Sequence, residues 1–237
     1  MLSGPNRPTG RMSSRAELWL RTAIFTFAIV LGLQAGWILA TELSRRATII
    51  DSASAEEGAA DSPYQMAASR AARFGLVRGD LWAESALSFV NLSPTGFSGR
   101  IDLSRSETVE KVRTKAEQAL RYSPHDARIW LVLATLDSQF NPRDSRVAAL
   151  LRMSYYTGAN EIELTPLRLL VLARSDALTN DDLKQLVYRD IRNVITRAPQ
   201  LKYTIITAYR EASPVGRELF NQILAELDPT LLSSTQL

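Results

Sequence analysis

Between Arg21 and Glu42 the chain runs for twenty residues, TAIFTFAIVLGLQAGWILAT, without one ionisable side chain. Twenty residues in a helix rise about 30 Å, the thickness of a bilayer's hydrocarbon core. A segment lying in hydrocarbon must satisfy its backbone polar groups internally, so the run is constrained to be a helix. Trp19 and Trp37 fall where aromatic rings settle at the two interfaces, and Gln34 is the one strongly polar side chain inside. A cleaved signal sequence would need a small-x-small site soon after a shorter core. The best such site, Ala53-Ser54-Ala55, comes well after the run, and Ile38-Leu39-Ala40 puts a large residue at the critical position. Residues 22–41 are therefore expected to be retained as an anchor.

Charge orients that anchor. The net charge of +3 comes from Arg7, Arg11, Arg15 and Arg21 against Glu17, because the rest of the chain carries 24 basic and 24 acidic residues. Arginine-rich flanks stay in the cytoplasm, which places residues 1–21 inside and everything after the span outside; at a bacterial inner membrane that side is the periplasm. The neutral remainder offers no general basic surface and so no nucleic-acid partner. Within the span Ala28, Gly32, Gly36 and Ala40 recur every fourth residue and share one helix face. Small residues at that spacing let a second membrane helix approach closely, so this face is the expected helix-pairing surface.

The remainder reads as helices. Residues 42–61 are small and acidic after Ile50, a tether or a frayed continuation of the span. Ser62-Pro63 opens a helix ending before Gly75, and a second is expected over 80–90, followed by a loop at 91–99. Ser104 with Glu107 forms a capping box for a helix reaching Tyr122. Further helices are expected over 126–140, 144–157, 161–175, 179–198, 201–212 and 214–227, with Thr179 and Ser213-Pro214 marking two starts. No segment alternates with period two, so the class is all-α, with a helical domain over 62–228 and a tail over 229–237.

One stretch repeats. Setting Trp82 on Trp130 aligns 68–86 with 116–134, an offset of 48, and matches Ala68/Ala116, Ala71/Ala119, Arg73/Arg121, Phe74/Tyr122 and Ala86/Ala134. Each copy is the end of one helix, a tight turn and the start of the next. In the second copy Ala119, Pro124, Trp130, Leu133 and Ala134 resemble a tetratricopeptide-repeat junction. Three departures stand against the pattern: Asp137 replaces the usual aromatic, the first copy lacks the proline, and 48 exceeds the usual period of about 34. The resemblance implies a superhelix of antiparallel helix pairs that holds a partner protein in its groove. Residues 154–173, SYYTGANEIELTPLRLLVLA, are similar to helical-repeat proteins of bacterial polysaccharide export and polymerisation systems, which implies a place in envelope polysaccharide assembly or export.

The chemistry-bearing residues are sparse. There is no cysteine and one histidine, His125, which sits in the turn after Pro124. Glu107 and Lys111 form a stabilising pair four apart, Glu161 and Glu163 point to different sides, and Asp181-Asp182 complement a helix dipole. Tyr155-Tyr156-Thr157-Gly158 reads as a helix end with Gly158 as a left-handed cap. Nucleophile, phosphate-loop and dinucleotide motifs are absent, so no catalytic, cofactor or metal-binding residue is assigned. The expectation is a membrane-anchored periplasmic adaptor for a protein partner. A glycan-cleaving enzyme on a helical scaffold and a structural subunit of a membrane complex are the alternatives.

Overall fold

The computed structural model describes the backbone of residues 14–52, 63–75, 78–88 and 106–235 and the side chains of most of them. Ala53-Ser54-Ala55, Ser62, the 91–99 loop, Ser104 and the side chain of Glu107 lie outside the described residues.

The first helix, α1 (Ser14–Ser52), includes the apolar run and continues past it, so the first part of the expected tether is helical. Its stretch Glu17–Ala40 is long and apolar enough to cross a membrane and is not buried by any of the described residues. At about 1.5 Å per residue the 24 residues of that stretch extend about 36 Å. The hydroxyls of Thr22 and Thr26 donate to the carbonyls of Leu18 and Thr22, both at 2.9 Å, so neither brings an unsatisfied polar group to the span.

Among the described residues ten helices follow: α2 (Pro63–Phe74), α3 (Gly79–Leu87), α4 (Ser106–Tyr122), α5 (Ala127–Phe140), α6 (Ser145–Thr157), α7 (Thr165–Arg174), α8 (Asp181–Arg197), α9 (Lys202–Arg210), α10 (Pro214–Leu227) and α11 (Pro229–Thr235). No strand occurs among the described residues, as the absence of period-two patterning leads one to expect. Side chains fix several starts by accepting otherwise orphaned amides. Asp126 accepts from the Arg128 amide at 3.1 Å, Asp144 from Arg146 at 2.8 Å, and Ser213 from Gly216 at 3.1 Å. The start expected at Thr179 lies one residue later. Asn180 caps α8, because the Thr179 hydroxyl is already bonded to the Asp176 carbonyl in the preceding 3-10 turn.

The same connection recurs between successive helices. At Gly75, Ser123, Asn141 and Gly158 the amide bonds the carbonyl four residues back. In each case the amide three residues on returns to that residue's own carbonyl, and the next helix starts from there. The backbone does not need glycine for this. Gly158 ends α6 at φ −138°, ψ 53°, close to Asn141 at −144°, 80° and Ala198 at −138°, 59°. The left-handed cap expected at Gly158 is therefore not formed. Glycine is required there by packing, since a Cβ would lie 2.5 Å from the Cβ of Ala127 at the start of α5. Gly79 at the start of α3 is in the same situation, with the Ser123 Cβ 2.6 Å from where its own would be.

Burial follows the apolar faces of α3 to α10 in one continuous core. Ala71, Ala72 and Leu81 form a smaller cluster under α2, and Trp82 packs against both. Most neighbours in sequence pack together, and so do alternate helices: α3 with α5, α5 with α7, α7 with α9, α6 with α8, and α8 with α10. The segment set apart as a tail folds back as α11, with Leu231 buried.

Candidate functional site

Trp82 and Trp130 are each the fourth residue of their helix, as the alignment requires, but both are half-buried and neither is sealed inside. The Trp130 indole N–H donates to the Pro124 carbonyl at 2.7 Å, which lays the ring's polar edge across the turn. An indole needs a partner for that N–H, and the nearest acceptor is at the surface.

Asp137, the residue that departs from the repeat pattern, is 8% exposed and lies between two guanidiniums. Arg113 of α4 donates to its Oδ1 at 2.7 Å, and Nε of Arg146 on α6 stands 3.1 Å from Oδ2. One carboxylate on α5 thus ties the helices on both sides of it, the work an aromatic plug would do by packing.

A second polar cluster lies fully inside, where α6, α7 and α8 meet. Arg168, 1% exposed, donates from Nε to the Ser154 hydroxyl at 3.1 Å and from Nη2 to the Ser154 carbonyl at 2.6 Å. Its guanidinium lies 4.5 Å above the centre of the Tyr155 ring. The Tyr155 hydroxyl donates to Asp190 Oδ2 at 2.8 Å. Burial raises the Asp190 carboxyl above its ordinary range, against the opposing pull of the Tyr155 hydrogen bond and the Arg168 charge. Burial also raises the Tyr155 hydroxyl, with the Asp190 charge adding to it, and lowers the Arg168 guanidinium. Sequence reasoning did not single out Arg168. The available signal was an arginine in the middle of the otherwise apolar stretch PLRLLVLA. The placement also removes Tyr155 as a ligand platform, because its ring is already covered; Tyr156 beside it is exposed.

The side chains that open on a cavity lie elsewhere, between α2 and α4. A concavity of about 370 Å³ is lined by Gln65, Met66, Ser69, Arg70, Arg73, Lys111 and Lys115. Four of these seven are basic and none is acidic. At its floor Nζ of Lys115 donates to the hydroxyls of Ser69 at 2.5 Å and Ser85 at 2.6 Å. Burial, and then the charges of Arg73 and Lys111, lower the Lys115 ammonium to about 8. At neutral pH the amine therefore still carries its proton, and both serines accept from it. In that state it does not serve as a base toward either serine, and the cluster holds a positive charge at the base of the cavity. Sequence reading could not see this site, because the four cations come from two helices about forty residues apart.

His125 is exposed in the α4–α5 turn. Asp181 and Asp182 occupy the first turn of α8, where Lys184 pairs with Asp181 at 2.7 Å. Among the described residues no group of three or more His, Asp or Glu is placed to hold a metal ion. Around the small-residue face of α1, a Cβ at Gly32 or Gly36 would meet nothing within 4 Å, so none of the described residues covers those positions. Comparison with protein-family models, with curated proteins and with solved structures finds no match of any of the three kinds.

Proposed function

We propose that this chain is a single-pass adaptor of a bacterial inner membrane, with its N-terminus in the cytoplasm and a stack of helix pairs in the periplasm that binds a partner protein. The observation that carries the proposal is a repeated contact between successive helix junctions. Gly79, first in α3, abuts Ser123 in the next junction's turn. Ala127, first in α5 and 48 residues on, abuts Gly158 in the turn after that. One member of each pair is glycine, so successive junctions stack at backbone distance. The alternating neighbours α3–α5–α7–α9 and α6–α8–α10 are those of two stacked layers, the arrangement of helical-repeat proteins.

The long offset also has an explanation within a tetratricopeptide-like reading. The α3–α4 connection, residues 88–105, is 14 residues longer than the four-residue α5–α6 connection, and 48 less that 14 is 34. The 88–105 segment then reads as an insertion between two ordinary pairs. Stacked pairs present extended surfaces to other proteins without catalytic groups. The open face at Ala28, Gly32, Gly36 and Ala40 is proposed to meet a membrane helix of the same partner. A role in envelope polysaccharide assembly or export rests on the likeness of residues 154–173 alone.

The test uses the full-length protein. It should be cross-linked in cells, and the partner recovered through the periplasmic domain should be lost with Gly32→Leu/Gly36→Leu or with helix-surface substitutions. Asp137→Asn and Asp190→Asn variants that stay folded should retain partner capture and cellular function. If one such carboxylate change abolished function while capture and folding survived, an enzyme would replace the adaptor.

A further inference from the structure

We propose that the cavity between α2 and α4 is a binding site for a phosphate-bearing anion, held by Arg70, Arg73, Lys111 and Lys115. The inference goes beyond the adaptor reading and does not depend on which protein the stack binds.

Two arginines and two lysines from two helices line one concavity, and its positive potential attracts a ligand of opposite charge. A planar carboxylate offers its oxygens in one direction. The charges here approach from α2 on one side and α4 on the other, which suits a tetrahedral group with oxygens directed to both. Arginine forks bind such oxygens two at a time, while Lys115 supplies a fixed point charge from below. Lys115 is held in place by Ser69 and Ser85, so it does not have to be ordered when the anion arrives. At about 370 Å³ the space is far larger than one water and within the range that takes a small organic ligand. Met66, 47% exposed, provides an apolar wall beside the charged groups. A headgroup joined to a glycerol or sugar would use both.

Two sources share this chemistry. Because α2 packs on the anchor helix α1, one is the headgroup of an anionic phospholipid. The other is a soluble phosphate ester.

The experiment uses full-length protein in nanodiscs. In neutral phosphatidylcholine discs, inorganic phosphate and glycerol 3-phosphate are titrated and followed by phosphorus NMR. In discs containing phosphatidylglycerol, the lipid retained around the protein is counted by mass spectrometry. Arg73→Ala and Lys111→Ala, both at exposed positions, should each weaken binding roughly tenfold, as expected for loss of one charge-assisted contact. Arg192→Ala, on the exposed surface of α8, should change nothing. Binding in the first arm identifies a soluble ester and enrichment in the second a lipid headgroup, and either supports the site if the two cavity variants weaken it. The proposal is overturned if no probe binds folded protein, if the cavity variants bind as the wild type does, or if an acidic peptide displaces phosphate at lower concentration.

Discussion

Replacing Arg168 with methionine tests the interior where α6, α7 and α8 meet. The guanidinium is 1% exposed, and the structure gives it two hydrogen bonds to Ser154 and a place 4.5 Å over the Tyr155 ring. Removing one partner from a buried charged cluster costs about 3–5 kcal/mol, because the remaining charge loses its compensation. Here the cost should sit near 3 kcal/mol. The Ser154 carbonyl keeps its bond from the Gly158 amide, Asp190 keeps the Tyr155 hydroxyl, and methionine refills much of the volume. Asp190→Asn alone keeps an acceptor for Tyr155 and should cost about 1 kcal/mol, a single hydrogen bond to a charged group weakened to a neutral one. In the Arg168→Met background the same change should cost less, since the attraction between the two charges is already gone. The cycle should show coupling of about 1 kcal/mol. Urea unfolding of the full-length protein in detergent, followed by tryptophan fluorescence, would measure all three variants. An Arg168→Met cost below about 1 kcal/mol, or additivity within about 0.5 kcal/mol, would refute the buried, coupled arrangement.

Three further outcomes follow from single observations. Gly158→Ala should destabilise by about 1–3 kcal/mol through the collision with Ala127, and Ala127→Gly should recover part of the loss in the double variant; a neutral Gly158→Ala would mean that the junctions do not stack there. The Lys115 ammonium titrates near 8 in the fold and near 10.5 when unfolded, so the unfolded chain holds the extra proton between those values and this group makes stability rise with pH across that window. Measured as a difference between wild type and Lys115→Met, that rise should disappear in the variant, and an unchanged slope would assign it elsewhere. Fusions of periplasm-dependent and cytoplasm-dependent reporters after residue 60 should be active only in the first case; cytoplasmic activity would invert the topology.

Local signals were legible where one side chain acts on its own backbone. Ser213-Pro214 and the stop before Gly75 fall where expected, because a cap or a helix break is decided within a few residues. The apolar run needs no neighbour to be interpreted, since solvent alone decides its fate. The repeat was legible as spacing, and Trp82 and Trp130 do take matching helix positions. The half-exposure of Trp130 was not legible, because it depends on where the Pro124 carbonyl offers the indole an acceptor. Gly158 shows the same limit from the other side. Its identity pointed to a left-handed cap, yet its dihedrals are shared with asparagine and alanine, and Ala127, thirty-one residues earlier, is what excludes a side chain there.

What the sequence alone determined is therefore the helical class, the long apolar N-terminal helix and most helix limits, all consequences of forces acting over one or two turns. Tertiary structure decided which charges meet. Asp137 receives Arg113 and Arg146, Arg168 settles on Tyr155, and four cations from α2 and α4 surround one cavity. Coulomb energy depends on separations of a few ångströms, and packing brings together residues far apart along the chain.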